Sequence, residues 1–309
     1  MQTSKLLTTS PFLFDEKPVI PHYEIQYLRL CAEVAFRGSW TMNKRTKERT
    51  KAVIGRTFTF DVANDPLPAI TTRKAPVKMP LAEILGYLKG LDNADDFAAL
   101  GAKTWYANAN ETEAWLKNPN RKGENDLGRI YGVQGRSWMK PNGDIVDQFD
   151  KLVSNLKRGI DDRGEILTFY NPGEFDKGCL RPCLHTHQFS LLDDTLYLDS
   201  MQRSADLPLG TVANMQQVYF LLKLVAQMVG AKPGIAKLHM SNCHIYESQL
   251  ELMVNEQLQR NPYTNVEPKL IIDPSVKSVS DIDRMKDTSA FKVVGYDHFH
   301  DKIEYPFAA

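Results

Sequence analysis

The sequence predicts an α+β fold in which a mostly antiparallel or mixed sheet packs against helices. Two patterns support this: several segments carry apolar residues at helical spacing, and short strand-like runs lie between them. Two such runs flank Asp193 and Asp194, which predicts a hairpin and therefore antiparallel pairing. With 309 residues, 42% of them hydrophobic, the chain can form one large core or two ordinary ones.

The first half of the chain predicts an arm followed by helices and a strand. Residues 1–21 contain Thr-Thr-Ser-Pro and two further prolines, which favours an irregular arm, and residues 22–309 are predicted to form one domain. Residues 107–128 are rich in Asn, Lys, Glu and Gly and are predicted to be a surface insertion. The predicted elements are a helix at 23–36, a strand at 52–60 and a helix at 79–88 whose apolar face is Leu81, Ile84, Leu85 and Leu88.

The second half predicts the hairpin and the longest helix. The hairpin joins 188–191 to 195–199 and would fold Arg203 back toward Cys183. Six apolar residues at helical spacing predict an amphipathic helix: Val218, Leu221, Leu222, Val225, Met228 and Val229. The other predicted elements are a helix at 145–157, a strand at 166–170, a strand at 236–240 and a helix at 248–259.

Charge and composition exclude several classes of protein. Because 38 basic residues balance 38 acidic ones, neither DNA nor an anionic membrane is expected as an electrostatic partner. No apolar run approaches the ~18 residues of a membrane span, and the N-terminus lacks a signal pattern, so we expect a cytoplasmic protein, in the host cytoplasm if it is viral. The four cysteines lack framework spacing and are expected to be reduced thiols: Cys31, Cys179, Cys183 and Cys243.

A cysteine, an arginine and an asparagine within about thirty residues form the strongest chemical pattern: Cys183, Arg203 and Asn214. A thiol reacts as the thiolate, and a nearby arginine lowers the pKa of a thiol. The pattern therefore predicts a nucleophile. On spacing alone, a small buried hydrophobe at Cys183 is an equal alternative.

Four motifs in one order resemble the thymidylate synthase family. They are Pro182-Cys183 with Gln188-Phe189, then Gln202-Arg203-Ser204 with Asp206, then Leu209-Gly210 with Asn214, and finally His244-Ile245-Tyr246. Weaker similarity covers all but the first thirty or so residues. The resemblance implies a thymidylate-synthase-like catalytic domain at 22–309, paired sheet to sheet in an obligate homodimer. It also implies a pyrimidine nucleoside monophosphate as substrate and 5,10-methylenetetrahydrofolate as cofactor.

The same resemblance assigns roles to residues. Those implied to be catalytic are Cys183, Glu83, Asn214, Tyr131 and Arg203. Those implied to bind the nucleotide are Arg45, Arg163, Arg203, Ser204, Gln202, Asn214, His244 and Tyr246, with Arg163 reaching the phosphate site of the partner. Those implied to bind the cofactor are Trp105, Asp206, Leu180, Gly210 and Ala309.

Two of these residues have a different interpretation without the resemblance. Asn214 precedes the predicted long helix with Gln217 three residues later, which is a helix-capping pattern. At the family position it would instead read the base, and asparagine favours uracil over cytosine there. Glu83 lies off the apolar stripe of its helix, which predicts a solvent-facing charge.

Several positions depart from the family pattern. Leu184 replaces a histidine, Trp105-Tyr106-Ala107-Asn108 replaces Trp-Asp-x-Trp, and Thr211-Val212-Ala213 alters the loop before Asn214. A wetter cofactor pocket would favour hydration over hydride transfer. We therefore expect a dUMP hydroxymethylase of the phage DNA-modification type, with the alternative of a thymidylate synthase that makes dTMP and dihydrofolate. Gly164 also replaces a phosphate-binding arginine, for which Arg181 is the candidate substitute.

Two further alternatives belong to other classes. Cys183, His185 and His187 alternate along a strand near Cys179, as zinc ligands would, but residues two apart on a strand stand roughly 6–7 Å apart, and no metal is predicted. A catalytically inactive nucleotide- or RNA-binding homologue would have no need for the thiol, so the retained Cys183 argues against it.

Overall fold

The structure is a computed structural model that describes residues 20–44 and 46–307. Ten strands form in these residues: β1 (Ser39–Asn43), β2 (Glu48–Asp61), β3 (Trp138–Met139), β4 (Ile145–Val146), β5 (Ile166–Thr168), β6 (Leu184–Leu192), β7 (Thr195–Asp206), β8 (Lys232–Tyr246), β9 (Lys269–Ile272) and β10 (Phe291–Val294). Six of them make one sheet in the order β1-β2-β8-β7-β6-β5, and β3-β4 and β9-β10 are two-stranded pairs.

The large sheet is mixed, as the sequence predicted. Its pairs are antiparallel except β7 with β8, which run parallel. A parallel pair needs a long crossover, and a 20-residue helix lies between these two strands in the chain. The α+β fold class is therefore confirmed.

Ten α-helices form in the described residues: α1 (Tyr23–Arg37), α2 (Lys78–Lys89), α3 (Ala94–Leu100), α4 (Tyr106–Asn110), α5 (Glu113–Leu116), α6 (Gly132–Arg136), α7 (Gln148–Lys157), α8 (Gly210–Val229), α9 (Glu247–Asn255) and α10 (Val279–Arg284). Three short 3₁₀ segments accompany them: Lys103–Trp105, Pro172–Lys177 and Gln257–Gln259. Helix α8 crosses the middle of the core and is buried on nearly every side, packing on β7, β8, α2 and α7.

Two predicted helix starts differ from the structure by more than one residue. Helix α8 begins at Gly210 and not near residue 218, because tertiary burial extends the helix through its first two turns. Helix α7 begins at Gln148, because the Asp147 side chain accepts a hydrogen bond from the Asp150 N–H and caps the helix there. The predicted helix also included Ile145 and Val146, but these two residues form β4, which pairs with Trp138–Met139 of β3.

The segment 107–128 does not lie wholly on the surface. Trp115 is 1% exposed, and its indole N–H donates to the Asp126 carbonyl at 2.7 Å. The segment therefore contributes a large side chain to the core. Most of the predicted arm, residues 1–19, lies outside the described residues. Within residues 20–44 and 46–307, no helix combines the length and the apolar character needed to cross a bilayer.

A buried carboxylate on α1 holds the loop that leads to α2. Glu24 accepts hydrogen bonds from the backbone N–H groups of Thr71 (2.8 Å) and Thr72 (2.7 Å) and from the Thr71 hydroxyl (2.8 Å). Its side chain is fully buried. We expect Glu24→Gln to lower the free energy of unfolding by roughly 3 kcal/mol, because an amide presents N–H groups to these donors. Urea denaturation measures this.

Glu33 on the same helix is the matched control, since it pairs with Arg56 at the surface. Glu33→Gln should change the free energy of unfolding by less than about 1 kcal/mol. Equal effects of the two substitutions would contradict the assigned role of Glu24.

Candidate active site

Cys183 lies directly before β6, and its backbone is hydrogen-bonded to the Tyr131 side chain and to β7. Its backbone N–H donates to the Tyr131 hydroxyl at 3.0 Å, and its carbonyl accepts from the Arg203 backbone N–H at 2.9 Å. The side chain is half-buried, whereas Cys31, Cys179 and Cys243 are buried. The register shifts between Leu184 and Thr186, so the strand pairing is irregular directly after the thiol.

The guanidinium of Arg203 is fixed beside Cys183 by backbone carbonyls. Its Nε donates to the Pro182 carbonyl at 2.9 Å, and its Nη2 donates to the Arg181 carbonyl at 2.8 Å. These two residues immediately precede the cysteine. The hairpin therefore brings a positive charge to Cys183, as its sequence pattern predicted, and the carbonyls that hold the charge in place are themselves uncharged.

Asn214 lies in the second turn of α8, so its interpretation as a helix cap is wrong. The structure instead places its amide between two glutamines. Its Nδ2 donates to Gln217 Oε1 at 2.9 Å, and its Oδ1 accepts from Gln202 Nε2 at 2.9 Å. Gln202, expected to bind the nucleotide, is 2% exposed and also donates to the Ser204 carbonyl at 2.9 Å.

Glu83 is directed into the site from α2 and is not the solvent-facing charge that its helical position predicted. Gln217 Nε2 donates to its carboxylate at 2.7 Å and Thr104 Oγ1 donates at 3.3 Å. Burial raises the pKa of Glu83, and hydrogen bonds from Gln217 and Thr104 oppose that rise. A raised pKa makes this carboxyl group a better proton acceptor than an ordinary exposed carboxylate.

An aromatic wall joins Glu83 to Cys183. The rings of Tyr87 and Tyr131 stack with centroids 4.4 Å apart, and the buried Trp105 meets both rings edge-on. Burial, then the nearby Cys183, raises the pKa of Tyr131 well above its usual value, so its hydroxyl stays protonated. Tyr131 also has a φ of 38°, a backbone conformation that residues with a Cβ rarely adopt and that often marks functional positions.

His244 and Tyr246 end β8 next to each other. Their ring centroids lie 5.2 Å apart, and Asn43 Nδ2 donates to the Tyr246 hydroxyl at 3.2 Å. Burial lowers the pKa of His244 to about 4, so the ring is neutral at pH 7, and its Nδ1 pairs with Asn242 Oδ1 at 2.9 Å. The end of β8 therefore carries a neutral imidazole beside a phenol hydroxyl.

Three of the residues expected to hold the cofactor lie close to Asn214 or to Cys183 in the chain. Asp206 ends β7, Gly210 begins α8, and a Cβ at Gly210 would lie 3.8 Å from Asn214 Oδ1. Leu180, three residues before Cys183, is half-buried. A carboxylate and an aliphatic side chain are the kinds of group that a flat ring with an amide-like edge would need.

Burial raises the pKa of Asp206 from 3.8 to about 6, although hydrogen bonds from Gln249 and the Leu209 N–H oppose the rise. Folding therefore favours the protonated form, and this stabilisation is lost as the pH rises from about 4 through 6. We expect the free energy of unfolding of the wild type, relative to Asp206→Asn, to fall by roughly 2 kcal/mol across that interval. Urea denaturation at pH 4, 5, 6 and 7 measures the difference. A difference that stays constant would contradict the assignment.

Arg163 does not join the site of its own chain. It is exposed in the turn before β5, and its carbonyl accepts from Gln188 Nε2 at 3.2 Å. Gln188 is five residues from Cys183 along β6, a span of roughly 16 Å. Arg45 and Ala309, expected at the phosphate and the cofactor, lie outside the described residues.

The residues considered as zinc ligands have other partners. His187 is fully buried and pairs with Ser200 Oγ at 2.8 Å, and burial lowers its pKa to about 3. His185 pairs with Thr186 Oγ1 at 2.8 Å. In the part of the chain that the structure describes, no three His, Cys, Asp or Glu side chains gather as a metal ion would require.

Sequence reasoning missed three residues of this site. Gln217 was recognised only as a capping partner, and Tyr87 and Thr104 were not recognised at all. Tyr87 follows Glu83 by four residues, a helical spacing that places the two side chains on one face and could have identified it. Nothing in the sequence pairs Glu83 with Gln217, which is 134 residues away.

Comparisons with known proteins extend along nearly the whole chain. Residues 25–309 match the family model described as thymidylate synthase. A protein named thymidylate synthase from Photobacterium profundum is 58% identical over 283 residues, which is 92% of this chain and 99% of that protein. Proteins of the same name from Shewanella loihica and Haemophilus influenzae are each 56% identical over 283 residues, with the same coverage.

Proposed function

Because the chain belongs to the thymidylate synthase family, we propose that it transfers one carbon from 5,10-methylenetetrahydrofolate to C5 of dUMP, giving dTMP and dihydrofolate. The observation that carries the proposal is Cys183, half-buried and held between the Tyr131 hydroxyl and Arg203. Asn214 and Glu83 are linked to each other through Gln217. These are the groups that attack, recognise and exchange protons with a uracil ring.

The expectation of a dUMP hydroxymethylase is wrong. Relatives that are 55–58% identical over at least 91% of the chain are named thymidylate synthase. The structure supplies part of the physical reason, because two of the three altered segments are buried. Leu184 is 2% exposed within the hydrophobic core, and Thr211 and Val212 are buried in α8, so these substitutions do not open a pocket to water. The prediction of phage DNA modification fails with it.

The first step falls to Cys183. Its thiolate forms a bond to C6 of uracil, and the electron pair of the C5–C6 double bond moves toward C5 and O4. Arg203, anchored to the Pro182 and Arg181 carbonyls, keeps a positive charge beside the sulfur and faces the phosphate end of the nucleotide. Asn214 donates to O4 as negative charge develops there and accepts from N3–H. C5 thereby becomes the nucleophile.

Glu83 and Tyr131 handle the protons. Removing the C5 proton needs a base near the ring, and Glu83 is directed into the site from α2, where burial raises the pKa of its carboxyl. The Tyr131 hydroxyl stays protonated, and it steadies the backbone at Cys183 while the sulfur bonds to C6 and leaves again. His244 and Tyr246 hold the sugar hydroxyl.

The cofactor would be held by Asp206, Leu180, Gly210 and Trp105, with Ala309 as a further contact outside the described residues. When bound, 5,10-methylenetetrahydrofolate supplies the methylene carbon and the hydride. Asp206 would hydrogen-bond the amide-like edge of the pterin, and Trp105, packed with its aromatic neighbours, would exclude water from the carbon being transferred.

A second copy of the chain completes the phosphate site in this proposal. Thr57, His239 and Met201 occupy one register across β2, β8 and β7, and all three are exposed or half-buried, whereas Ser200 and Gln202 on the opposite face are buried. Pairing of two such open faces gives the sheet-to-sheet homodimer. It also brings the exposed Arg163 of one chain to the phosphate of the other.

Arg181 substitutes for the phosphate-binding arginine of the family, whose position is occupied by Gly164 in this chain. Its carbonyl accepts from Arg203 Nη2, and its guanidinium carbon lies 4.9 Å from the centre of the Phe175 ring. An aromatic face favours the cation and holds it in one region. The Phe175 ring therefore fixes the region in which this charge lies, two residues before Cys183 in the chain.

The test is an assay of both products. With dUMP and 5,10-methylenetetrahydrofolate, we expect the absorbance of dihydrofolate to rise in step with a nucleotide that has gained a methyl group by mass spectrometry. A hydroxymethyl product without dihydrofolate would refute the proposal. So would the absence of tritium release from [5-³H]dUMP by correctly folded protein, which would indicate an inactive binding protein.

A further inference from the structure

Four side chains form one directed row of hydrogen bonds through the base-reading residue. Gln202 Nε2 donates to Asn214 Oδ1 (2.9 Å), Asn214 Nδ2 donates to Gln217 Oε1 (2.9 Å), and Gln217 Nε2 donates to Glu83 (2.7 Å). We propose that Gln217, together with Gln202, is a positioning residue that locks Asn214 in the orientation that accepts uracil and rejects cytosine. This inference rests on the proposed function and names the origin of its base specificity.

The Glu83 end of the row fixes one direction. Gln217 Nε2 lies 3.4 Å from the Pro80 carbonyl, which only accepts hydrogen bonds, and 2.7 Å from the Glu83 carboxylate, which only accepts while it is ionised. The carbonyl alone already requires Gln217 to turn its NH₂ group toward this side. The oxygen of Gln217 then faces Asn214, which has to present its own NH₂ group. Gln217 is fully buried, so a reversed amide could not replace these partners with bulk water.

The Gln202 end imposes the same orientation independently. Gln202 Nε2 donates to the Ser204 backbone carbonyl at 2.9 Å, and a carbonyl only accepts. Its second N–H points at Asn214, which therefore has to present an oxygen. Reversing Asn214 would set NH₂ against NH₂ on one side and oxygen against oxygen on the other.

The hydrogen-bonding positions of Asn214 that the row does not use are complementary to uracil and not to cytosine. After these two bonds the side chain retains one N–H and one acceptor position on Oδ1. Uracil offers an acceptor at O4 and a donor at N3–H, which are complementary to this pair. Cytosine offers a donor at its 4-amino group and an acceptor at N3. It can be read only if Asn214 turns over and breaks both bonds of the row.

The experiment compares the binding of dUMP and dCMP by isothermal titration calorimetry. Gln217→Leu keeps the size of the side chain but removes one of the two anchors of Asn214. We expect the preference for dUMP over dCMP to fall about five- to tenfold, the effect of roughly one net hydrogen bond. Gln217→Glu is the rescue variant, because its carboxylate oxygen still accepts from Asn214 and it can share a proton with Glu83. It should retain the preference within about twofold.

Gln216→Leu is the matched control. Gln216 is equally buried on the same helix. Its amide donates to the Pro76 carbonyl at 3.0 Å, so Gln216 is not a member of the hydrogen-bonded row that holds Asn214. Its preference should equal that of the wild type. An unchanged preference in Gln217→Leu, or an equal loss in Gln216→Leu, would overturn the inference. Wild-type protein that binds neither nucleotide, or binds both equally, would instead refute the proposed function.

Discussion

Cys183→Ser should lower kcat by at least about a thousandfold, the largest loss expected from any single substitution in this chain. A serine hydroxyl is far harder to ionise than a thiol, and the neighbouring Arg203 cannot compensate for that difference. Binding of dUMP should change less than about fivefold, because Arg203 and Asn214 keep their positions. Dihydrofolate formation measures kcat, and calorimetry measures binding. Intact-protein mass spectrometry should show a covalent nucleotide adduct only when Cys183 is present.

Cys179→Ser is the control for this substitution. Cys179 is buried four residues away, and burial raises the pKa of its thiol to about 12, so it stays a neutral thiol. Once corrected for the amount of folded protein, the activity of Cys179→Ser should stay within about threefold of wild type. Full activity in Cys183→Ser would exclude the covalent mechanism.

Arg163→Ala should lower kcat/KM by about a hundredfold, because a charge-assisted phosphate contact is lost from each site. The substitution also tests which chain supplies this arginine. If Arg163 acts on the partner's site, a heterodimer of Cys183→Ser with Arg163→Ala has one site that carries both defects and one that carries neither. Refolding the two inactive variants together in equal amounts should then restore about a quarter of the wild-type activity.

Arg158→Ala is the matched control for Arg163. Arg158 is also exposed, and its guanidinium donates to the side-chain oxygen of Asn155 at 2.6 Å. Its substitution should leave kcat/KM within about twofold of wild type. A mixture of Cys183→Ser and Arg163→Ala that forms dimers and remains inactive would show that Arg163 does not act across the interface.

Local patterns predicted the regular elements well where one face is buried. The helix at 23–36 and the helix at 79–88 agree with α1 and α2 within one residue at each end. The strands around the hairpin were found in the right places but too short. Residues such as Gln202 and Ser204 carry no strand pattern of their own and extend β7 only because β6 and β8 pair with it.

The product was predicted wrongly for a physical reason. Three altered segments in the shell expected to seat the cofactor were interpreted as openings for water, although a sequence does not show whether a changed side chain faces a pocket or the core. The structure places Leu184 and Val212 in the core. Similarity along the whole chain then outweighs a few changed positions.

The sequence by itself determined the fold class and the family and supplied the candidates for the reacting groups, because short motifs such as Pro182-Cys183 and Gln202-Arg203-Ser204 are local in the chain. Only the tertiary structure decided how those groups are held. Glu83 and Gln217 are 134 residues apart, and Tyr131 and Cys183 are 52 residues apart, yet each pair shares a hydrogen bond. Hydrogen bonds depend on distance and direction in space, and the packing of α2, α6 and α8 against the sheet fixes both.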